Sequence, residues 1–241
     1  DELPQLFNVL KGELSLVGDF DPVETRAHID SLLGGFRAQK PYERPTAVHR
    51  PHDGGEEIIR VPDKQGAVVL AAQRLAIRDD DPDMAALSLF SFLFGGHENS
   101  RLNTRLREQA GLAYSVTSQV DASPHERNGS FLLFFTCAPQ NARPGLALLE
   151  KELTDFWTHG PTENELRAMQ RAYQKAVEGE LANDAALAGL LNARMEFSRT
   201  LRFDQTRLQT VLQLSPKEVL EAVRRHIDPA RLYKVLAGSL P

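Results

Sequence analysis

The sequence has a single cysteine, Cys137, which excludes an internal disulfide and any zinc site built on several thiolates. It also has no excess of basic charge. Its 28 Lys and Arg stand against 33 Asp and Glu, a net charge of -5, and the cations are scattered rather than clustered. A phosphate-binding surface needs them together, so a nucleic-acid interface is excluded. No run approaches the roughly 18 apolar residues of a membrane-spanning helix, and no basic-then-apolar segment stands near Asp1. The chain opens at Asp1 rather than at Met, within sequence that already reads as structured. We therefore expect a soluble piece of a larger protein, with the compartment left open between bacterial periplasm and cytoplasm. What is present is ordinary for a globular protein: 241 residues, 41% apolar and 25% charged. A chain of this length buries roughly 70 to 75% of its unfolded surface and needs no staples.

The pattern of turns and apolar residues divides the chain. A strand over Glu13–Val17 leads to a helix that Asp21 caps and Pro22 starts, with Glu24 at the capping-box position and Gly34-Gly35 as the stop. These residues, 1–40, read as the end of a preceding domain. A tract with Pro41, Pro45, Pro51 and Gly54-Gly55 follows, and residues 41–56 form a linker. Residues 57–241 form the main domain. There Glu57–Val61 and Ala67–Gln73 are expected as a hairpin about Pro62–Gln65. Asp81-Pro82 starts a nearly all-apolar helix over Met84–Phe94, stopped by Gly95-Gly96.

Asn99 or Ser100 caps a short helix that ends at Gly111. The strand Leu112–Val120 then pairs with Ser130–Ala138 across a turn at 123–128. Leu146, Leu149, Leu153, Phe156 and Trp157 share one helical face that stops at Gly160-Pro161. Thr162 and Glu165 form a capping box for a helix that carries Leu166, Met169, Tyr173, Ala176 and Val177 inward. Further helices cover 185–199 and run from Ser215 to about Ile227, and Leu232–Ala237 closes the chain as a strand. The fold class expected is α+β, a mainly antiparallel sheet with helices packed on one face. Leu14–Asp19 also echoes Lys234–Ser239, each an apolar strand that stops at Gly and a small polar residue. Either the first is the closing strand of an earlier copy of this domain, or two strands resemble each other by chance.

Templates for catalysis are mostly absent. No Gly-x-Ser-x-Gly elbow and no Gly-x-x-x-x-Gly-Lys loop occur. A metallopeptidase helix presents two His on one face with a Glu beside them. Here His97-Glu98 meets Arg101 at the ligand position, and His125-Glu126 meets Gly129. His49 and His52 flank Pro51 in the linker, while His28, His159 and His226 stand singly on helices or their ends. No metal is expected in this chain. Cys137, on an apolar strand, reads as an inert buried thiol.

One segment stands apart. A short helix ends in Arg107-Glu108, the chain turns at Gly111, and a strand carries Tyr114. Because the chain doubles back, a guanidinium and a phenol seven residues apart can converge beside the strand. Both are donors suited to a peptide carbonyl or a developing oxyanion, where a well-placed donor contributes roughly 2.7–4 kcal/mol. The alternative is that Arg107 pairs with a neighbouring carboxylate and Tyr114 packs with its hydroxyl in water. On the residues alone this plainer arrangement has the better claim.

The stretch Asn99-Ser100-Arg101-Leu102, then Leu106-Arg107-Glu108, then Gly111-Leu112-Ala113-Tyr114-Ser115-Val116, resembles the repeated-domain signature of the inverted-zinc metallopeptidases. This pitrilysin and insulinase family includes mitochondrial processing peptidase and the core proteins of the respiratory bc1 complex. Val17–Pro22, Pro62–Gln65 and Ser215–Pro229 extend the resemblance over most of the chain. It implies similar domains that face each other across a proteolytic chamber. One carries a His-x-x-Glu-His motif and a distant Glu ligand, and the facing one contributes an Arg and a Tyr that contact substrate backbone.

Arg107 and Tyr114 match that pair in type and spacing. His-x-x-Glu-His occurs nowhere in this sequence, so the resemblance implies the non-catalytic, substrate-binding half, inactive by itself. It also implies that zinc belongs to a homologous partner domain or subunit, with peptide as substrate. The alternative within the same resemblance is a non-enzymatic assembly module like the core subunits. A small-ligand or nucleotide-binding domain has no supporting motif.

Overall fold

Period-two burial decides which side of the sheet becomes core. Strand β1 spans Gly55–Arg60 and β2 spans Ala67–Leu75, and in β2 every second residue is buried. The computed structural model describes residues 16–35 and 44–241, and α1, Pro22–Leu33, precedes both strands. Helix α2, Met84–Ser91, is buried at almost every position and continues as a wider turn over Phe92–Gly96. A second wide turn covers Asn103–Gln109 and leads to β3, Ser115–Ala122. Then come β4, Gly129–Cys137, and four helices: α3, Ala142–His159; α4, Glu163–Leu181; α5, Asp184–Glu196; and α6, Arg202–Gln213. Helix α7, Pro216–His226, and strand β5, Tyr233–Gly238, end the chain.

The five strands form one sheet in the order β1-β5-β2-β4-β3, and only β1 and β5 run parallel. Val69, Ala71, Phe131, Leu133, Phe135 and Leu236 enter the core on the helical side. Phe90 of α2 stands 5.5 Å from Phe131 of β4 and 4.8 Å from Phe156 of α3. Gly145 lets α3 sit tightly on β4, since a Cβ there would lie 2.8 Å from the Phe135 ring. Each large apolar side chain fully buried this way contributes roughly 1.5–3 kcal/mol. The fold is thus α+β with helices on one face of a mainly antiparallel sheet.

The chain divides into two compact units, residues 46–173 with 209–241, and residues 1–45 with 174–208. The first holds the sheet. In the second, the Arg194 guanidinium binds both Asp204 oxygens at 2.8 and 2.5 Å, and three guanidinium groups surround the Phe203 ring at 4.2 to 5.1 Å.

The capping chemistry follows the sequence. Asp21 Oδ1 accepts from the N–H groups of Val23 and Glu24, and Thr162 with Glu165 and Ser215 with Glu218 make reciprocal boxes. Other expectations need correction. The strand expected over Glu13–Val17 falls largely outside the described residues, and Leu16 and Val17 are in no strand. Strands β1 and β2 are not a hairpin, because β5 lies between them. The link over 61–66 is long enough to step across one strand, about 10 Å. Asp81-Pro82 forms a turn, with Asp81 Oδ1 accepting from Asp83 N–H, and the helix starts two residues later. Ala176 is exposed. Helix α6 has no counterpart in the sequence reading, for among its residues only Val211 is buried.

Candidate functional site

The expected pair is placed by a short reversal of the chain. Leu102 and Leu106 are fully buried and anchor the turn Asn103–Gln109, which leaves Arg107 on its outer side. Leu112 N–H donates to Leu106 carbonyl at 2.8 Å, and Gly111 takes a φ of 63°, the left-handed conformation that Gly accepts without steric cost. Tyr114 then lies one residue before β3 rather than within it, its backbone N–H bonded to Thr136 carbonyl at 2.8 Å. Its side chain is 62% exposed.

The opposite wall comes from the end of the wide turn after α2. Gly95 lies directly on β3, where a Cβ would come within 2.8 Å of Ser118 Cβ. Buried Asn103 ties the loop down, its Nδ2 donating to His97 carbonyl and to Ser100 Oγ, both at 3.0 Å. His97 Nδ1 accepts from Asn99 N–H, and the His97 ring leans on Phe92 at 4.9 Å. Together these elements enclose an open cavity of about 300 Å3, lined by residues 95–98, Asn103, Arg107 and 114–117. Arg107 and Tyr114 both face it. Neither side chain has a hydrogen-bond or ion-pair partner among the described residues. Of the plainer arrangement, an Arg107–carboxylate pair is not found among the described residues, while Tyr114 is exposed as that arrangement expects.

Arg101, from the same stretch, is elsewhere. Its guanidinium binds both oxygens of Glu165 at 3.0 and 2.7 Å and lies 5.0 Å from the Phe156 ring. That pairing joins residues 64 apart and carries no local signal; the Glu165 capping box is its one visible trace.

The histidines do not assemble. His49 Nδ1 is buried without a partner, His52 Nδ1 lies 3.0 Å from Asp53 carbonyl, and His159 caps the end of α3 through Asp155 carbonyl. Among the described residues, Asp81, Asp83 and His226 bring ligand atoms within 4.8 Å of one another. They do not fit zinc. Both Asp83 oxygens accept from Arg225, at 2.8 and 2.6 Å, and His226 Nε2 shares one of them at 2.8 Å, so a guanidinium already stands where a cation would be held. The Arg225 bond, opposed by partial burial and aided by His226, holds the Asp83 carboxyl below its ordinary range. Cys137 is buried on β4, and that burial pushes its thiol up to about 11. It is not a poised nucleophile. No helix among the described residues is long and apolar enough to cross a membrane.

Comparison with known proteins identifies the family of the fold. Residues 12–173 match the family model described as the peptidase M16 inactive domain. Over 230 residues the chain is 26% identical to the non-peptidase homolog YmxG of Helicobacter pylori, covering 94% of this chain and 52% of that protein. Over 221 residues it is 27% identical to the probable zinc protease PqqL of Escherichia coli, covering 90% of this chain and 23% of that one. The chain thus spans about half of the first relative and about a quarter of the second. The crystal structure of a peptidase M16 inactive domain from Pseudomonas fluorescens superposes with a TM-score of 0.73 at 24% identity, over 93% of this chain and 53% of that one. A signature that encloses a cavity, a fold shared with inactive domains and a family match over most of the chain lead to one conclusion: this protein belongs to the peptidase M16 inactive domain family.

Proposed function

We propose that this chain is the non-catalytic, substrate-binding half of a zinc-dependent metallopeptidase, in which Arg107 and Tyr114 contact the backbone of an extended peptide. The observation that carries the proposal is the pair of unpartnered donors on one small cavity. A guanidinium and a phenol can both donate to peptide carbonyls without selecting a side chain, as a site that accepts varied peptides requires. Zinc and the hydrolytic step belong to a homologous partner domain or subunit, and this chain binds and orients. Relatives named as zinc proteases, such as PqqL, support the pairing.

The test is peptide cleavage by this chain assembled with its zinc-bearing partner. Arg107→Ala and Tyr114→Phe are each expected to slow cleavage about tenfold or more, which is roughly 1.4 kcal/mol of transition-state stabilisation, with zinc content unchanged. Unaltered kinetics in both variants would remove the substrate-binding role. A second reading has one observation in its favour. The YmxG relative, matched over 94% of this chain, is named a non-peptidase. In that reading the chain is an assembly module, and no partner restores cleavage.

A further inference from the structure

His97 follows the wide turn after α2 and lines the same cavity as Arg107 and Tyr114. Its backbone is held twice over. The His97 carbonyl accepts from Ser100 N–H at 2.9 Å and from Asn103 Nδ2 at 3.0 Å. Its ring lies 4.9 Å from Phe92, which in turn packs edge-on against Tyr173 at 5.3 Å. Backbone and ring are thus fixed before any ligand arrives. A contact made by this side chain costs little of the rotamer freedom that a mobile one would lose.

The hydrogen bond at Nδ1 decides what the ring can offer. Asn99 N–H donates to His97 Nδ1 at 3.1 Å, and a backbone amide nitrogen can only donate. Nδ1 is therefore an acceptor, and the neutral ring carries its proton on Nε2. That N–H has no hydrogen-bond or ion-pair partner among the described residues, and it is not among their buried unpartnered atoms. The cavity wall therefore holds a third free donor beside the guanidinium and the phenol.

We propose that His97 is a third substrate-contacting residue, its Nε2–H donating to a backbone carbonyl of the extended peptide. The inference rests on the substrate-binding reading of Arg107 and Tyr114 and deepens it. The three donors come from three separate segments: the loop after α2, the turn Asn103–Gln109 and the entry to β3. An extended peptide rises about 3.3 Å per residue, with its carbonyls spaced along that length. Donors placed around one cavity can then meet more than one of them. The phenol and the neutral imidazole carry no charge, so the set suits main-chain carbonyls better than a side-chain carboxylate, which a second cation would hold more strongly.

A purely structural His97 would act through Nδ1 alone, by holding the turn at Asn99. Two substitutions separate these roles. His97→Asn keeps an acceptor near Nδ1 and loses the outer donor, whereas the amide nitrogen of His97→Gln reaches the Nε2 position. The test is an amide NMR titration of the 241-residue chain with N-acetyl-tetraalanine methylamide, with saturable shifts expected at residues 95–98, 103–107 and 114–117. His97→Asn should weaken binding about fivefold, as for one lost hydrogen bond, and His97→Gln should stay within about twofold of the parent. Unchanged binding by His97→Asn, or a greater loss in His97→Gln, would overturn the inference. If Arg107→Ala weakens binding while His97→Asn does not, His97 alone is removed. If no saturable binding occurs, or neither Arg107→Ala nor Tyr114→Phe alters it, the substrate-binding reading falls and this inference with it. A long-range proton–nitrogen spectrum of the free chain should show His97 protonated on Nε2. The opposite tautomer would overturn the inference by itself, whether or not the variants fold.

Discussion

Arg101 and Arg107 lie six residues apart in one short stretch and carry the same charge, yet they end in opposite states. Arg101 is 16% exposed, forked onto Glu165 and laid across Phe156. Arg107 is exposed, faces a cavity and has no side-chain partner among the described residues. The difference comes from the turn that carries them. Buried Leu102 and Leu106 fix which side faces the core, so a residue beside Leu102 reaches α4 while one beside Leu106 is left pointing out. A paired arginine and a cavity-facing one therefore stand in a single motif, and resemblance across the motif does not separate them.

The largest effect expected from breaking this contrast is at Arg101. Arg101→Ala removes two charge-assisted bonds and leaves the Glu165 carboxylate, whose side chain is 25% exposed, with only its capping bond from Thr162 N–H. A loss of about 2–3 kcal/mol in unfolding free energy is expected, below the figure for a fully buried pair because both partners retain some water. Urea denaturation would measure it, and a change under about 0.5 kcal/mol would show the fork to be incidental.

Gly95 comes next, because it holds the cavity wall against β3. Gly95→Ala would place a Cβ 2.8 Å from Ser118 Cβ. The loop must shift, at a cost of about 1–3 kcal/mol, and on the function proposed above, peptide cleavage with the partner domain should fall with it. Unchanged melting and unchanged cleavage would show that the wall needs no such close approach.

A smaller, pH-bounded effect belongs to Asp83. Its folded pKa is lowered, first by the Arg225 bond and then by His226, against partial burial. A depressed carboxylate pKa adds stability that is present above the ordinary value near 3.8 and is lost as the pH falls through the folded value. The melting temperature of Asp83→Asn should therefore lie below the parent's at neutral pH and converge on it at strongly acidic pH. A constant gap across that window would assign the contribution to packing.

How much of this was legible depended on sequence distance. Caps were legible because their partners lie three residues apart, as Asp21, Thr162 and Ser215 show. The β3–β4 hairpin was legible because alternation and a polar turn occur side by side. The β1–β2 hairpin was misjudged because nothing in residues 57–73 signals that a strand from the end of the chain will separate them. Arg225 and His226 meet Asp83 across more than 140 residues, and no local pattern announces that. Arg107 and Tyr114 stood out because the reversal at Gly111 is itself local. Their freedom from partners was not legible, since an absence of contacts is a property of the whole fold.

That freedom yields the smallest expected effect and the most discriminating one. If Arg107 makes no stabilising contact, Arg107→Ala should change unfolding free energy by less than about 0.5 kcal/mol, as at other exposed positions without partners. Tyr114→Phe removes only a hydroxyl from a side chain that is 62% exposed, and should do the same. The contrast with Arg101 is then complete, one arginine measurable in the stability of the fold and the other, on the function proposed above, only in the rate of peptide cleavage. Equal destabilisation by Arg101→Ala and Arg107→Ala would collapse it, because Arg107 would then hold the fold together rather than stand free at the cavity as the proposed function requires.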